Sequence, residues 1–185
     1  MPKDWASSEN IESYDVISTS ELLYPGSSSI AIDELGEKAI VGGSDSVAGI
    51  YSLPDNNILM VLNVGGGAIT DAVWYGDKPV VSTSSGVVKV FDGGQEAATF
   101  TSHAGAVNAL AMHPSGEILA SVGADKSFVF YDLVAAKPVT QVYTDCGSYL
   151  ISKHWIHSLT LLRSNIRRVP SGWSPLCRRR YRWSS

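Results

Sequence analysis

The chain has 185 residues, 44% of them hydrophobic and 17% charged, enough for one domain with a packed core and too apolar for wholesale disorder. Its formal charge of −4 hides a split, because all 18 Asp and Glu lie at or before Asp145 beside six lysines, while eight basic residues follow from Cys146 onward with no acidic one among them. Cys146 and Cys177 supply neither a disulfide framework nor C-x-x-C zinc spacing, so no metal or cofactor is expected and a reducing compartment is the default.

Taken in chain order, residues 1–24 read as an irregular linker. They open "MPKDWASSEN", which lacks the charged-then-apolar pattern of a signal peptide. From residue 25 the chain repeats itself. "SIAIDELGEKAIVGGSDSVAGIYSL", "ITDAVWYGDKPVVSTSSGVVKVFDG" and "VNALAMHPSGEILASVGADKSFVFYDL" align without a gap at a period of about 40 residues. Gly36, Gly76 and Gly116 each fall in a turn between two apolar runs. Asp45, Ser85 and Asp125 fall in the next turn, and Tyr51, Phe91 and Tyr131 each end the run after it. The runs are short, β-branched and alternating, bounded by polar and glycine turns, which is a strand-and-hairpin pattern. A fourth run closes each unit: "NILMVLNV", "QEAATFTS" and "KPVTQVYT". The longest apolar stretch, Ile58 to Val64, is interrupted by Asn63 and is far too short to span a bilayer, so no membrane contact is expected.

Four-stranded units at this period are the blades of a β-propeller. The expected fold is therefore all-β: an incomplete β-propeller of about three blades over residues 25–145, with an irregular linker before it and a tail after it. The third repeat, "HAGAVNALAMHPSGEILASVGADKSFVFYDL", with its histidine before the first strand, serine in the second, aspartate in the following turn and an aromatic-Asp pair, resembles a WD40 repeat, which implies an incomplete WD40 propeller. That resemblance implies a structural tetrad of His103, Ser121, Asp125 and Tyr131, with Tyr131-Asp132 in place of Trp-Asp. The other two repeats depart from the pattern, with Ser85 in the aspartate position of one and Tyr51-Ser52 ending the other, and a full network is not expected there. His103, Ser121 and Asp125 also supply the residue types of a hydrolase triad, but residue types without geometry define no triad, and no catalytic residue is assigned. Gly65 to Gly67 lack the spacing and the following Lys-Ser/Thr of a phosphate loop and read as a turn between blades.

Residues 24–145 further resemble the first blades of the C-terminal propeller of the pre-mRNA-processing factor nineteen family, spliceosomal U-box ubiquitin ligases. The likeness is carried by "LYPGSSSIAIDELGEKAIVGGSDSVAGIYSL", by the histidine-led third repeat, and by "DKSFVFYDL" followed by "PVTQVYTD"; the lead-in "PKDWA" resembles the family's linker. It implies a protein-interaction scaffold, proteins of a splicing or ubiquitin-ligase complex as partners, and a nuclear location, with a cytoplasmic scaffold of another WD40 family as the alternative. The family's ligase activity resides in a U-box that these 185 residues do not contain, so enzymatic activity of this chain is not expected.

Residues 146–185 break the pattern: "CGSYLISKHWIHSLTLLRSNIRRVPSGWSPLCRRRYRWSS" has no acidic residue and no glycine-aspartate turn. Arginines beside aromatics could serve single-stranded RNA or a basic import signal. The preferred reading is a frame break. Trp173 and Trp183 are each TGG before a serine codon, so one nucleotide further on both become glycine, and permitted codons for residues 164–185 then read "LTSAGFHPDGHLFAAGGTDGQ", the start of a fourth blade. On this reading the tail is aberrant, intron-derived and then out of frame, and direct nucleic-acid binding is not expected. A three-blade fragment would also leave an apolar blade face and open edges, so self-association is expected.

Overall fold

The computed structural model describes Gly26 and residues 28–143. The linker expected over 1–24 and the tail expected over 146–185, with both cysteines, lie outside the described residues. Twelve strands are described: β1 (Ser29–Ile32), β2 (Lys38–Gly42), β3 (Val47–Ser52), β4 (Asn57–Asn63), β5 (Ile69–Tyr75), β6 (Lys78–Thr83), β7 (Val88–Asp92), β8 (Gln95–Phe100), β9 (Val107–Met112), β10 (Ile118–Gly123), β11 (Ser127–Asp132) and β12 (Lys137–Tyr143). They form three four-stranded antiparallel meanders in sequence order, β1–β4, β5–β8 and β9–β12. This is an all-β, incomplete WD40 propeller of three blades, and the described residues contain no helix.

The turns explain why the register repeats. Gly36, Gly76 and Gly116 take φ of 71°, 60° and 75° in the hairpins β1–β2, β5–β6 and β9–β10. A bulge breaks the ladder between the third and fourth strands of each blade at Ile50/Tyr51, Val90/Phe91 and Phe130/Tyr131. An extra residue at that point adds local twist and re-aims the next side chain, here the aromatic ending the third strand.

Each blade buries one face against its neighbour. Between blades one and two, Ile40, Ile50 and Leu62 pack with Ile69, Trp74 and Phe91. Between blades two and three, Val80, Val90 and Phe100 pack with Leu110, Leu119 and Tyr131, and the Phe100 and Tyr131 rings meet at 4.6 Å between centroids. Directed hydrogen bonds cross both junctions, among them at the first the Ser28 hydroxyl to the Ile69 carbonyl at 2.9 Å and the Ile69 amide to the Gly43 carbonyl at 3.0 Å. The Trp74 indole N–H donates to the Ala31 carbonyl at 3.0 Å, and the Leu110 amide donates to the Asp71 carboxylate at 2.7 Å. Asp71 sits at a bulge in β5 and also accepts from the Ala72 amide, so its carboxylate fastens its own strand and the next blade together.

Candidate functional site

The densest cluster of buried polar side chains lies in blade three, built by three of its strands, the turn between two of them and the loop that enters the blade. His103 and Ala104 lie in the loop after β8, Ser121 in β10, Asp125 in the β10–β11 turn, Ser127 and Tyr131 in β11, and Gln141 in β12. The structure brings together the four residues expected at the tetrad. His103 Nε2 is 2.6 Å from the Ser121 hydroxyl, which is 3.2 Å from the Tyr131 hydroxyl. His103 Nδ1 faces the two Asp125 oxygens at 3.1 and 3.3 Å.

Asp125 is the hub. Burial works against its charge, yet hydrogen bonds from the Ala104 amide, the Ser127 hydroxyl, the His103 ring and the Ser127 amide outweigh that and hold its carboxyl at about 2 against an ordinary 3.8. An ionised carboxylate only accepts, so Nδ1 of His103 carries a proton toward it, which orients the ring and fixes which nitrogen faces Ser121. Burial also pushes the Tyr131 hydroxyl above its ordinary range. The His103 and Asp125 side chains are only 0% and 11% exposed, so these bonds form largely away from competing water.

The order Ser121–His103–Asp125 is that of a hydrolytic triad, nucleophile to base to orienting acid. Its setting is not. Ser121 is 0% exposed and its hydroxyl is already held between the His103 ring and Tyr131, leaving no path for an acyl carbonyl. The arrangement satisfies buried polar groups and ties the entry loop to three strands, which is a structural task.

Three contributors escape sequence reasoning. Ser127 lies 2.9 Å from His103 Nδ1 and donates to Asp125 at 2.8 Å. Its signal was a serine where the repeat period places Val47 and Val87 in the other repeats. Gln141 donates to the Ser102 carbonyl at 3.1 Å and reaches Ser127 at 3.2 Å, extending the network to the outermost strand. Gly123 is required by close approach: a Cβ there would collide with the His103 ring and the Asp125 carboxylate.

Blades one and two carry smaller locks. The register puts Val41 and Val81 where blade three has Ser121. In blade two, Thr83 Oγ1 lies 3.0 Å from the Ser85 hydroxyl and accepts from the Val87 amide at 3.2 Å. In blade one, Asp45 accepts from the neighbouring Ser44 hydroxyl at 3.1 Å. Gly65 to Gly67 connect β4 to β5, between the first two blades.

With fold and geometry in place, the chain can be compared with known proteins. Residues 94–132 match the WD40 family model "WD domain, G-beta repeat", the stretch that holds β8–β11 and most of the His103 network. The chain carries a WD40 repeat domain. Among curated proteins it is similar to "Pre-mRNA-processing factor 19 homolog 2" of Arabidopsis thaliana, 27% identical over 155 residues, covering 78% of this chain and 30% of that protein. The chain thus spans under a third of the length of that relative. Among solved structures it is similar to a chain of "Crystal Structure of Mitotic Checkpoint Complex", with a TM-score of 0.60 and 18% identity over 64% of this chain and 37% of that one, a likeness of fold.

Proposed function

We propose that this chain is a protein-interaction scaffold that contributes WD40 blades to a pre-mRNA-processing assembly in the nucleus, with proteins of a splicing or ubiquitin-ligase complex as its partners. The observation that carries the reading is the similarity to a pre-mRNA-processing factor, which extends across 78% of the chain and so well beyond the single matched repeat. The chemistry of the described body supports it. Its polar network is consumed internally and offers no accessible nucleophile, while the blades present turns and strand edges in a fixed arrangement. Lys126 is among the few basic residues of the body, which contains most of the chain's acidic ones, so its surface charge favours protein over nucleic-acid partners.

The test is purification of the epitope-tagged full chain from cells under gentle conditions, with pre-mRNA-processing proteins quantified against an unrelated WD40 control, alongside imaging of the chain. Enrichment of those proteins with nuclear localisation is the expected result. A cytoplasmic chain with no such enrichment overturns the reading and favours an unrelated WD40 scaffold.

A further inference from the structure

Blades two and three share one register, so each polar position around Asp125 has a named counterpart in blade two. The Ala124 amide donates to the Ala106 carbonyl at 2.7 Å, and the Ser84 amide donates to the Ala68 carbonyl at 2.8 Å. Each bond ties the turn between a blade's second and third strands to the loop that enters the blade. The pair of bonds fixes the correspondence: Ser85 stands where blade three has Asp125, Gly66 where it has Ala104, and Val87 where it has Ser127.

In blade three an anion closes that contact, with Asp125 accepting from the Ala104 amide at 2.9 Å and from the Ser127 amide at 3.1 Å. Blade two keeps the donors and lacks the anion. The Gly66 amide has no hydrogen-bond partner among the described residues, and the Val87 amide turns to the Thr83 hydroxyl at 3.2 Å. Ser85 lies beside them, close enough that a Cβ at Gly66 would be 3.0 Å from its hydroxyl oxygen, and both residues are exposed. Glycine at 66, with φ of 78°, leaves no side chain between that amide and the serine. The loop is already positioned, because the Ser46 hydroxyl donates to the Gly67 carbonyl at 2.7 Å.

We propose that Ser85 is a phosphorylation site, and that its phosphate fills in blade two the place the Asp125 carboxylate fills in blade three, accepting from the Gly66 amide. In the transfer the Ser85 oxygen attacks the terminal phosphorus of a nucleoside triphosphate held by a protein kinase. The bond from that phosphorus to the bridging oxygen breaks, the nucleoside diphosphate leaves, and the hydroxyl proton passes to the kinase's base. The added group carries a charge approaching −2 and three strong acceptor oxygens, and such a group orders a loop through charge-assisted hydrogen bonds. Ser84 is equally exposed but corresponds to Ala124, whose methyl group cannot accept a hydrogen bond, so the register selects Ser85 over its neighbour. Phosphorylation then fastens the loop joining blades one and two to the β6–β7 turn, as Asp125 fastens the His103 loop to the β10–β11 turn.

Two measurements on the full chain test this. Phosphopeptide mapping of the chain isolated from cells with phosphatases inhibited is expected to find phosphate on Ser85, and Ser85→Ala to abolish it while Ser84 is intact. Separately, a chain carrying phosphoserine in place of Ser85 is expected to show solvent exchange of the Gly66 amide, read by NMR, slowed by about tenfold against the unmodified chain. Ser85→Asp, with a shorter anion, should slow it by less, and phosphoserine in place of Ser84 should leave it unchanged. Ser84 and Ser85 are both exposed, so the fold is retained, and circular dichroism verifies the β signal of each protein. Phosphate on Ser84 but not Ser85, phosphate on neither, or a Gly66 amide indifferent to the Ser85 phosphate overturns the proposal.

Discussion

Asp125 accepts hydrogen bonds from two backbone amides, a hydroxyl and an imidazole, so its removal strands several donors at once. Asp125→Ala is expected to destabilise the fold by about 2–4 kcal/mol, since the cost falls on the groups left unpaired in a poorly solvated site. Urea unfolding of the two proteins measures it. The pH dependence follows from the carboxyl being held at about 2 rather than 3.8. A depressed carboxylate stabilises the fold fully above the unfolded value and loses that contribution as pH falls toward the folded value. Between about pH 4 and pH 2 the chain should therefore lose on the order of 2 kcal/mol more stability than Asp125→Asn does; equal acid slopes for the two would refute the linkage. Ser121, fully buried, should remain unlabelled by a fluorophosphonate probe in the native chain, and stoichiometric labelling would revive a hydrolase. At this scale the sequence displayed His103, Ser121, Asp125 and Tyr131 because a known repeat pattern spaces them. Asp71 went unseen because its role depends on which amide the next blade brings to it, Leu110, 39 residues away.

At the level of strands and turns, the period of about 40 residues was legible because each turn demands a particular backbone conformation. Glycine recurs at 36, 76 and 116, and all three take positive φ. The turn after the second strand shows the same demand with different solutions: Ser46, Gly86 and Lys126 take φ of 59°, 89° and 62°. Gly86 alone is constrained by space as well, since a Cβ there would lie 2.6 Å from the His103 carbonyl oxygen and 2.7 Å from that of Gly105. Gly86→Ala should cost about 3 kcal/mol, combining a left-handed alanine with a backbone clash at the entry to blade three. Ala136, at φ 50° in the exposed β11–β12 turn, is the reverse case. Ala136→Gly relieves a left-handed alanine and should be neutral to about 1 kcal/mol stabilising. Thermal unfolding of the pair reports both signs; a tolerated Gly86→Ala would mean that the turn and the loop do not meet. The bulges after Ile50, Val90 and Phe130 could not be read from the runs themselves, because alternation alone does not reveal where one strand gains a residue on its partner.

Across the whole molecule, blades are quasi-independent units whose stability comes from stacking. The body's core is divided between two junctions rather than gathered at one centre, so Trp74, which fills the first junction and donates across it, should matter more than its place in a single strand suggests. Trp74→Ala is expected to cost about 3–5 kcal/mol and to separate blade one from the rest in hydrogen exchange. Repeat number and blade order were readable from sequence, whereas which face of each blade meets its neighbour emerged only from the ladder register. The central claim, that the body serves as a protein-binding array in pre-mRNA processing, is tested most directly by cross-linking the full chain in nuclear extract and mapping links from Lys38, Lys78, Lys126 and Lys137. The account predicts links from these body lysines to pre-mRNA-processing proteins, lost when Asp125→Ala disrupts blade three. Links confined to RNA-bound material, or a pattern indifferent to Asp125→Ala, would contradict it.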